Sequence, residues 1–403
     1  MKRWLIALVG TTIQLCLGTV YAWSYFQKLL ASNYGWTQSQ TMWTFSLAIC
    51  FLGLAAAWGG SQLAKRGPRV LAFAGGICFG LGYLLAAAAL HFKSLPLFYA
   101  GYGVVGGIGL GLAYVTPVAA VAKWFPDKKG LATGMVILGF GMGALLMSKV
   151  LAPFLMKVSG NNMVTVFSGL GLVFIVVVPL LALALKNPPA LAASTAAGAS
   201  AGEAHAGWFN GKFMMMWLAF FCNITAGIAL ISFQSPMLQD LLKQAKSTVL
   251  DLAAAGATLI AVSSLFNGIG RMFWGGISDK IGRAMTFRLL LGSQILVFIA
   301  LTQVTSPVVF SVLVCYVLLC YGGGFGTMPS FVQDMFGSKN MAAAYGAILT
   351  AWSAAGIVGP QVVAVIKDRA PANASVVSFW VTTGFVLAGF VVTLFLKDKK
   401  PAV

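Results

Sequence analysis

A stripe of small and polar residues crosses one long apolar segment of the chain and contains an arginine. Ser264, Asn267, Gly268, Arg271 and Gly275 recur at i, i+3, i+4, i+7 and i+11, so in a helix they share one face. The planar guanidinium of arginine is always charged and can hold a carboxylate by two parallel hydrogen bonds. Because a charge inside a membrane is costly, Arg271 is expected to face a cavity or a partner. The stripe therefore predicts a site for a carboxylate ligand.

The acidic residues support this interpretation by their positions. All eight fall in predicted loops or at segment ends: Asp127, Glu203, Asp240, Asp251, Asp279, Asp334, Asp368 and Asp398. An arginine without a resident counter-ion leaves room for an anionic ligand. The competing interpretation is that Arg271, about two helical turns from its segment end, extends to the lipid headgroups. The small and polar face on which it lies favours the bundle interior instead.

Composition places these segments in a membrane. Of the 403 residues 59% are hydrophobic and 8% are charged, whereas soluble domains carry about 25% charged residues. The net charge is +18, but the basic residues fall in short bursts between apolar runs, unlike the basic face of a nucleic-acid-binding domain. Twelve runs are long enough to span a bilayer: 4–30, 38–63, 70–91, 96–123, 131–157, 163–185, 212–240, 251–277, 285–305, 307–333, 341–366 and 374–396.

The twelve runs form two halves joined by a linker. Residues 187–210 are rich in Ala, Ser and Gly, which is typical of a flexible linker between a half at 1–186 and a half at 211–403. "GSQLAKRGPR" at 60–69 and "GGISDKIGR" at 275–283 align on Gly67 and Gly282, and "WFPDKKGLATG" at 124–134 is echoed by "MFGSKNMAAAYG" at 335–346. The expected fold is an all-α membrane protein of twelve transmembrane helices in two six-helix halves, an architecture of transporters.

Basic residues in the loops predict the orientation. With the N-terminus inside, 17 lysine and arginine residues lie on the inner side and 7 on the outer side. The excess predicts that both termini and the linker are cytoplasmic, in the plasma (inner) membrane. Lys28 and Lys149 lie near outer segment ends and are expected to extend to the headgroups, with a role in an outer vestibule as the alternative.

The loop motifs resemble those of the major facilitator superfamily. The pattern G-x-x-x-D-K-x-G-R between adjacent spans is repeated in weaker form half a chain away. "KWFPDKKGLATG" and "FNGIGRMFWGGISDKIGR" closely resemble the oxalate/formate antiporter family and the related monocarboxylate transporters. The resemblance covers essentially the whole chain, and it implies alternating access of a central site.

The same resemblance implies the site residues. It assigns the substrate carboxylate to Arg271 and places Asn267 one helical turn before it. It also implies a cavity lined by aromatic side chains, at Tyr114, Phe140, Tyr321 and Phe325, with Trp352 and Ser353 as further candidates. For each single aromatic residue, packing against lipid or a neighbouring helix is the alternative. The stretch "YGGGFG" at 321–326 permits close approach of its helix to a neighbour.

Two departures from the family patterns bear on the substrate and the coupling. Trp352 stands where members handling dicarboxylates have a lysine, so one fixed cation favours a monocarboxylate such as lactate or pyruvate. The animal monocarboxylate transporters have Asp-x-x-x-Arg in the eighth span and a lysine in the first span. This chain has Asn267-x-x-x-Arg271 in the eighth span and Tyr25 at the lysine position. The expected function is proton-coupled symport of small monocarboxylates. Exchange of two carboxylates, as in the oxalate/formate relatives, is the alternative.

A gate is expected at the cytoplasmic loops. Asp279 and Arg283 lie four residues apart after the eighth span and are suited to pair or to cap helix ends. Asp127 and Lys128 in the corresponding loop of the first half are assigned to the same gate, with a solvated loop as the alternative.

Other functional classes lack their signals. The six cysteines lie within apolar runs and form no C-x-x-C pair, so no metal site is expected. There is no phosphate-binding G-x-x-x-x-G-K-[ST] motif, and the glycines of "GYGVVGGIGLG" at 101–111 follow no strand, so no nucleotide cofactor is expected. A channel would need rings of polar residues, and an enzyme a nucleophile or an acid/base pair within the spans. The expected partners are a small monocarboxylate, a proton and the lipid bilayer, not nucleic acid, and the protein is expected to act as a monomer without a catalytic residue.

Overall fold

The described part of the chain contains twelve helices that are long and apolar enough to cross a membrane. The computed structural model describes residues 3–125, 129–187, 209–245 and 251–397. The spans are α1 Arg3–Tyr34, α2 Gln38–Leu63, α3 Lys65–His91, α4 Leu95–Val121, α5 Ala132–Val158, α6 Met163–Ala182, α7 Gly211–Gln244, α8 Leu252–Ile281, α9 Arg283–Leu301, α10 Pro307–Gly337, α11 Ala344–Arg369 and α12 Ala374–Phe395. The predicted all-helical fold with twelve spans is confirmed. The predicted boundaries of the linker at 187–210 lie largely outside the described residues and stay a prediction.

Tight glycine turns join helices in both halves at equivalent places. Gly67, near the start of α3, has φ 75° and ψ 163°, and Gly282, between α8 and α9, has φ 91° and ψ 156°. Gly337, at the end of α10, has φ 81° and ψ 163°. Residues with a side chain rarely adopt a positive φ, so glycine is the residue suited to these turns. The sequence repeat that aligns Gly67 with Gly282 is therefore also a repeat of backbone conformation.

At two pairs of helices the backbones of the two halves approach each other closely. Between α5 and α8, a Cβ on Gly141 would overlap with the backbone of Gly268, so the two backbones lie in direct contact. Between α2 and α11, a Cβ on Gly53 would overlap with the Leu349 carbonyl and with Ser353. Small residues allow this approach in a membrane, where close packing replaces the hydrophobic effect as the main attraction between helices.

An even number of crossings returns the chain to the side on which it starts. The side on which α1 begins and α12 ends is called the termini side. The opposite side is called the distal side. Which of these two sides is cytoplasmic stays a prediction from the basic loops.

Candidate functional site

Arg271 lies inside the bundle, on the polar face of α8. Its exposed fraction is 1%, and Ser264, Asn267 and Gly268 on the same face are also buried. Phe273, on the other face of the helix, is 49% exposed. The guanidinium is thus enclosed by protein and does not extend to the headgroups.

No described protein group accepts a hydrogen bond from this guanidinium. Its Nε, Nη1 and Nη2 atoms are all buried without a partner. The rings of Phe140 and Phe325 lie 5.7 Å and 4.9 Å from its central carbon, within the range of cation–π attraction. The Tyr114 hydroxyl lies within reach of a hydrogen bond from the guanidinium and the Tyr345 hydroxyl lies near it, but neither contact meets strict hydrogen-bond geometry. The fork of N–H groups therefore remains available to a ligand that accepts hydrogen bonds.

Aromatic side chains from both halves meet around Arg271. The Trp352 ring of α11 lies 5.2 Å from Tyr114 of α4, 5.6 Å from Phe140 of α5 and 4.7 Å from Phe325 of α10. Tyr321 lies one turn from Phe325, at 5.2 Å between ring centroids. The structure thus brings together all five aromatic residues that the sequence proposed for the cavity, and all five are buried. We call these five residues, with Arg271, the aromatic cage.

Two further tyrosines join the cage that the sequence reasoning did not assign to it. The Tyr21 hydroxyl lies 2.5 Å from that of Tyr321, which joins α1 of one half to α10 of the other. Tyr21 sits in a 3₁₀ turn, Gly18–Ala22, which interrupts α1. Tyr345 is buried in α11 and its hydroxyl lies beside that of Tyr114. For Tyr345 the only signal in the sequence was its position within the repeated loop motif at 335–346.

Glycines of α10 bring its backbone against the part of α8 that carries the site. A Cβ on Gly322 would overlap with the carbonyl oxygen of Asn267, and a Cβ on Gly326 with that of Arg271. The expected close approach of the "YGGGFG" stretch is therefore present, and its partner is α8. This contact fixes the depth of Arg271 in the bundle relative to Tyr321 and Phe325.

Asn267 and Ser353 have different surroundings. The Oδ1 atom of Asn267 is buried without a partner. Asn267 lines a small cavity of about 10 Å³, and Gln234 and Ser263 also line it. This volume is comparable to the minimum that holds one water molecule. Ser353 Oγ instead donates to the Cys50 carbonyl at 2.8 Å, across the contact between α11 and α2. Ser353 therefore ties the two halves together beside the cage.

An ionic cluster lies on the termini side of the second half. Arg283 Nη2 lies 2.6 Å from Asp279 Oδ1, and Arg283 Nε lies 3.1 Å from Asp334 Oδ2. Arg283 also donates to Ser278 Oγ. The pairing of Asp279 with Arg283 is present as predicted, and Asp334 of α10 joins it. Asp127 and Lys128, assigned to the same gate, lie outside the described residues.

On the distal side, polar contacts join one half to the other. Lys28 Nζ of α1 lies 3.0 Å from Asp240 Oδ1 of α7, and Lys367 of α11 lies 3.4 Å from Asp240 Oδ2. The backbone N–H of Ser39 in α2 donates to Asp368 Oδ2 of α11 at 3.1 Å. Lys28 thus pairs with a carboxylate of the other half and does not extend to the headgroups. The distal side is closed by these contacts. In the described part of the chain, no group of three His, Cys, Asp or Glu side chains is arranged to hold a metal ion.

The twelve-helix fold and the sequence together define the class of the protein. Residues 7–360 match the family model described as Major Facilitator Superfamily, and the protein belongs to that superfamily. It is therefore a secondary transporter and not an enzyme.

Several transporters are similar to the chain over most of its length. The chain is 27% identical to the oxalate:formate antiporter of Oxalobacter formigenes, over 97% of this chain and 92% of the relative. It is 27% identical to apicoplast pyruvate carrier 1 of Toxoplasma gondii, over 86% and 81%, and 23% identical to monocarboxylate transporter 13 of Rattus norvegicus, over 87% and 78%. The solved inward-open structure of the xylose transporter XylE from E. coli, at 14% identity, superposes with a TM-score of 0.78 over 100% of this chain and 98% of that one, which shows the shared fold alone.

Proposed function

We propose that the protein transports small monocarboxylates of the lactate and pyruvate type, with Arg271 holding the carboxylate. The observation that carries the proposal is the buried guanidinium without a protein acceptor, at the seam between the two halves. Arginine and a carboxylate match geometrically, because two N–H groups meet two oxygens in one plane. The relatives named for oxalate and formate, for pyruvate and for monocarboxylates support the same class of cargo.

The cage favours one carboxylate and a short carbon body. The residues described around Arg271 are aromatic or uncharged, and no described carboxylate forms an ion pair with it. A second carboxylate on the substrate would lie against Trp352 and its neighbours without a cation to balance it, at a high desolvation cost. Methyl and methylene groups suit the aromatic walls. A monocarboxylate therefore fits the cage better than a dicarboxylate.

Alternating access supplies the movement. The Lys28–Asp240 pair and the Ser39–Asp368 hydrogen bond hold the distal side closed, and both must break before that side opens. We assign the cluster of Arg283, Asp279 and Asp334 to the opposite gate. With both termini cytoplasmic, as the basic loops predict, the distal side is extracellular.

Two ways of driving the transport are proposed, and the preferred one is given first. Symport with a proton is the first, as expected from the resemblance to the monocarboxylate transporters. Exchange of one carboxylate for another is the second, and the isolation of Arg271 from any described carboxylate favours it. Arginine does not lose its proton in proteins, so an empty site carries an unbalanced buried charge, whereas a loaded site is neutral. A carrier of this kind reorients more readily loaded than empty.

Uptake into proteoliposomes tests the proposal. Labelled lactate and pyruvate should enter faster than oxalate, and Arg271→Gln should abolish uptake. Stimulation by an inward proton gradient selects symport, and stimulation by internal carboxylate without such a gradient selects exchange. A preference for oxalate would contradict the assignment of a monocarboxylate, and normal uptake by Arg271→Gln would contradict the site.

A further inference from the structure

An apolar groove lies between α8 and α10, and no residue of the aromatic cage lines it. Its volume is about 630 Å³, within the range of roughly 300–1,000 Å³ found for ligand sites. Val262 and Phe266 of α8 form one wall, and Val312 and Tyr316 of α10 form the other. Leu238 of α7 also lines the groove.

The open side of the groove faces the membrane. Val262, Phe266 and Val312 are 42%, 38% and 63% exposed, and they belong to helices that span the bilayer. Exposed apolar side chains at this depth contact lipid hydrocarbon. The molecule that fills the groove must therefore be one that reaches it from the hydrocarbon, and an acyl chain is such a molecule.

The length of the groove matches a single leaflet. Along α8 it runs from Ala255 to Phe266, which is about 16 Å at a rise of 1.5 Å per residue. The hydrocarbon core of a bilayer is about 30 Å thick, so the groove covers about half of it. It begins near the distal ends of α8 and α10, so its occupant belongs to the distal leaflet.

A lysine lies beside the distal end of the groove. Lys149 Nζ donates to Thr258 Oγ1 at 2.6 Å, and Thr258 lines the groove. Lys149 is exposed and lies in a π-helical turn, Met147–Leu151, and an ammonium has three donors, so two remain for another acceptor. Both α8 and α10 begin at this end, and helix N-termini carry a partial positive charge. The carboxylate at the start of α8, Asp251, accepts the N–H of Ala254 as a helix cap.

We propose that the groove binds one anionic phospholipid of the distal leaflet, with its acyl chain between α8 and α10 and its phosphate on Lys149. Lys149 belongs to the first half and the groove to the second, so the lipid bridges the seam between the halves. Binding stabilises the arrangement in which Lys149 contacts Thr258, which is the one with the distal side closed.

Native mass spectrometry of the purified protein tests the headgroup. The protein is given equal amounts of phosphatidylglycerol and phosphatidylcholine with identical chains, and the retained lipid is counted. One basic contact at a membrane surface corresponds to a preference of about fivefold for the anionic lipid. Lys149→Gln should remove this preference and Lys149→Arg should keep it. Lys157→Gln, which changes another exposed distal lysine of α5, is the matched control and should leave it unchanged.

A second variant tests the groove itself. Val312→Trp places a large side chain into the groove from its exposed wall, so the core packing is preserved, and it should lower retention of both lipids. Equal retention of the two lipids by the parent overturns the proposal. So does a phosphatidylglycerol preference that survives Lys149→Gln, a loss of preference in Lys157→Gln as large as in Lys149→Gln, or full retention by Val312→Trp.

Discussion

Replacing Arg271 by lysine keeps the positive charge but removes the two-pronged shape of the guanidinium, so it tests how much that shape contributes to binding. The guanidinium lies between Phe140 and Phe325 with all three nitrogens free of protein acceptors, so a carboxylate can take two of its N–H groups at once. Each hydrogen bond to a charged group contributes about 1.5–3 kcal/mol. Lysine keeps the charge but makes one such bond in place of two. The loss of about 1.5–3 kcal/mol corresponds to roughly 10- to 150-fold weaker binding of the substrate.

Equilibrium binding of labelled lactate to the purified protein measures this loss directly. Arg288→Lys is the matched control, because Arg288 of α9 donates to the carbonyls of Thr393 and Leu396 at 3.1 Å and 2.7 Å, away from the cage. The control should bind like the parent. The two-bond argument fails if Arg271→Lys binds within twofold of the parent, or if the control loses as much affinity as Arg271→Lys does.

Three further predictions follow from the contacts. Gly322→Ala forces α10 away from α8, so it should cost about 1–3 kcal/mol of stability and reduce transport. Gly276→Ala is the control, because no atom lies near its Cβ, and it should leave stability and transport unchanged. Thermal-shift and uptake assays measure the two quantities. Asp240→Asn removes the carboxylate that joins the halves on the distal side and should speed hydrogen exchange at the distal end of α7, and unchanged exchange would exclude it as a gate. Asp334→Asn removes one partner of Arg283. Because the Asp334 side chain is about half exposed, the stability loss should stay at about 1 kcal/mol or less while the transport rate falls. An unaltered rate would remove Asp334 from the gate.

The interior position of Arg271 could be predicted because it depends on one helix. The polar stripe of α8 is a property of local periodicity, and any helix with that stripe buries it. The convergence of Tyr114, Phe140, Tyr321 and Trp352 is different. These residues lie on four helices, and their positions were inferred from a family resemblance, since no local pattern states how α4, α5, α10 and α11 pack.

Contacts between the halves were the part that sequence reasoning missed. Lys28 and Asp240 are 212 residues apart, and either one alone resembles an ordinary segment-end charge. Tyr21 reaches Tyr321 through the 3₁₀ turn in α1, where Gly18 packs directly on the Phe140 carbonyl. Such a turn arises from tertiary packing and not from the propensity of its own residues.

The depth of Arg271 in the bundle constrains how the two halves can move. Gly141 and Gly268 bring α5 and α8 into backbone contact one turn from Arg271, and this contact leaves little room for displacement at that depth. The polar contacts of Lys28 and Asp240, by contrast, lie near the distal end, where side chains can separate. Rocking of the halves about the central contact would open each end in turn and expose the guanidinium to one side and then to the other. Between these two states the site is closed to both sides and the charge is desolvated, so a bound carboxylate stabilises this closed intermediate most.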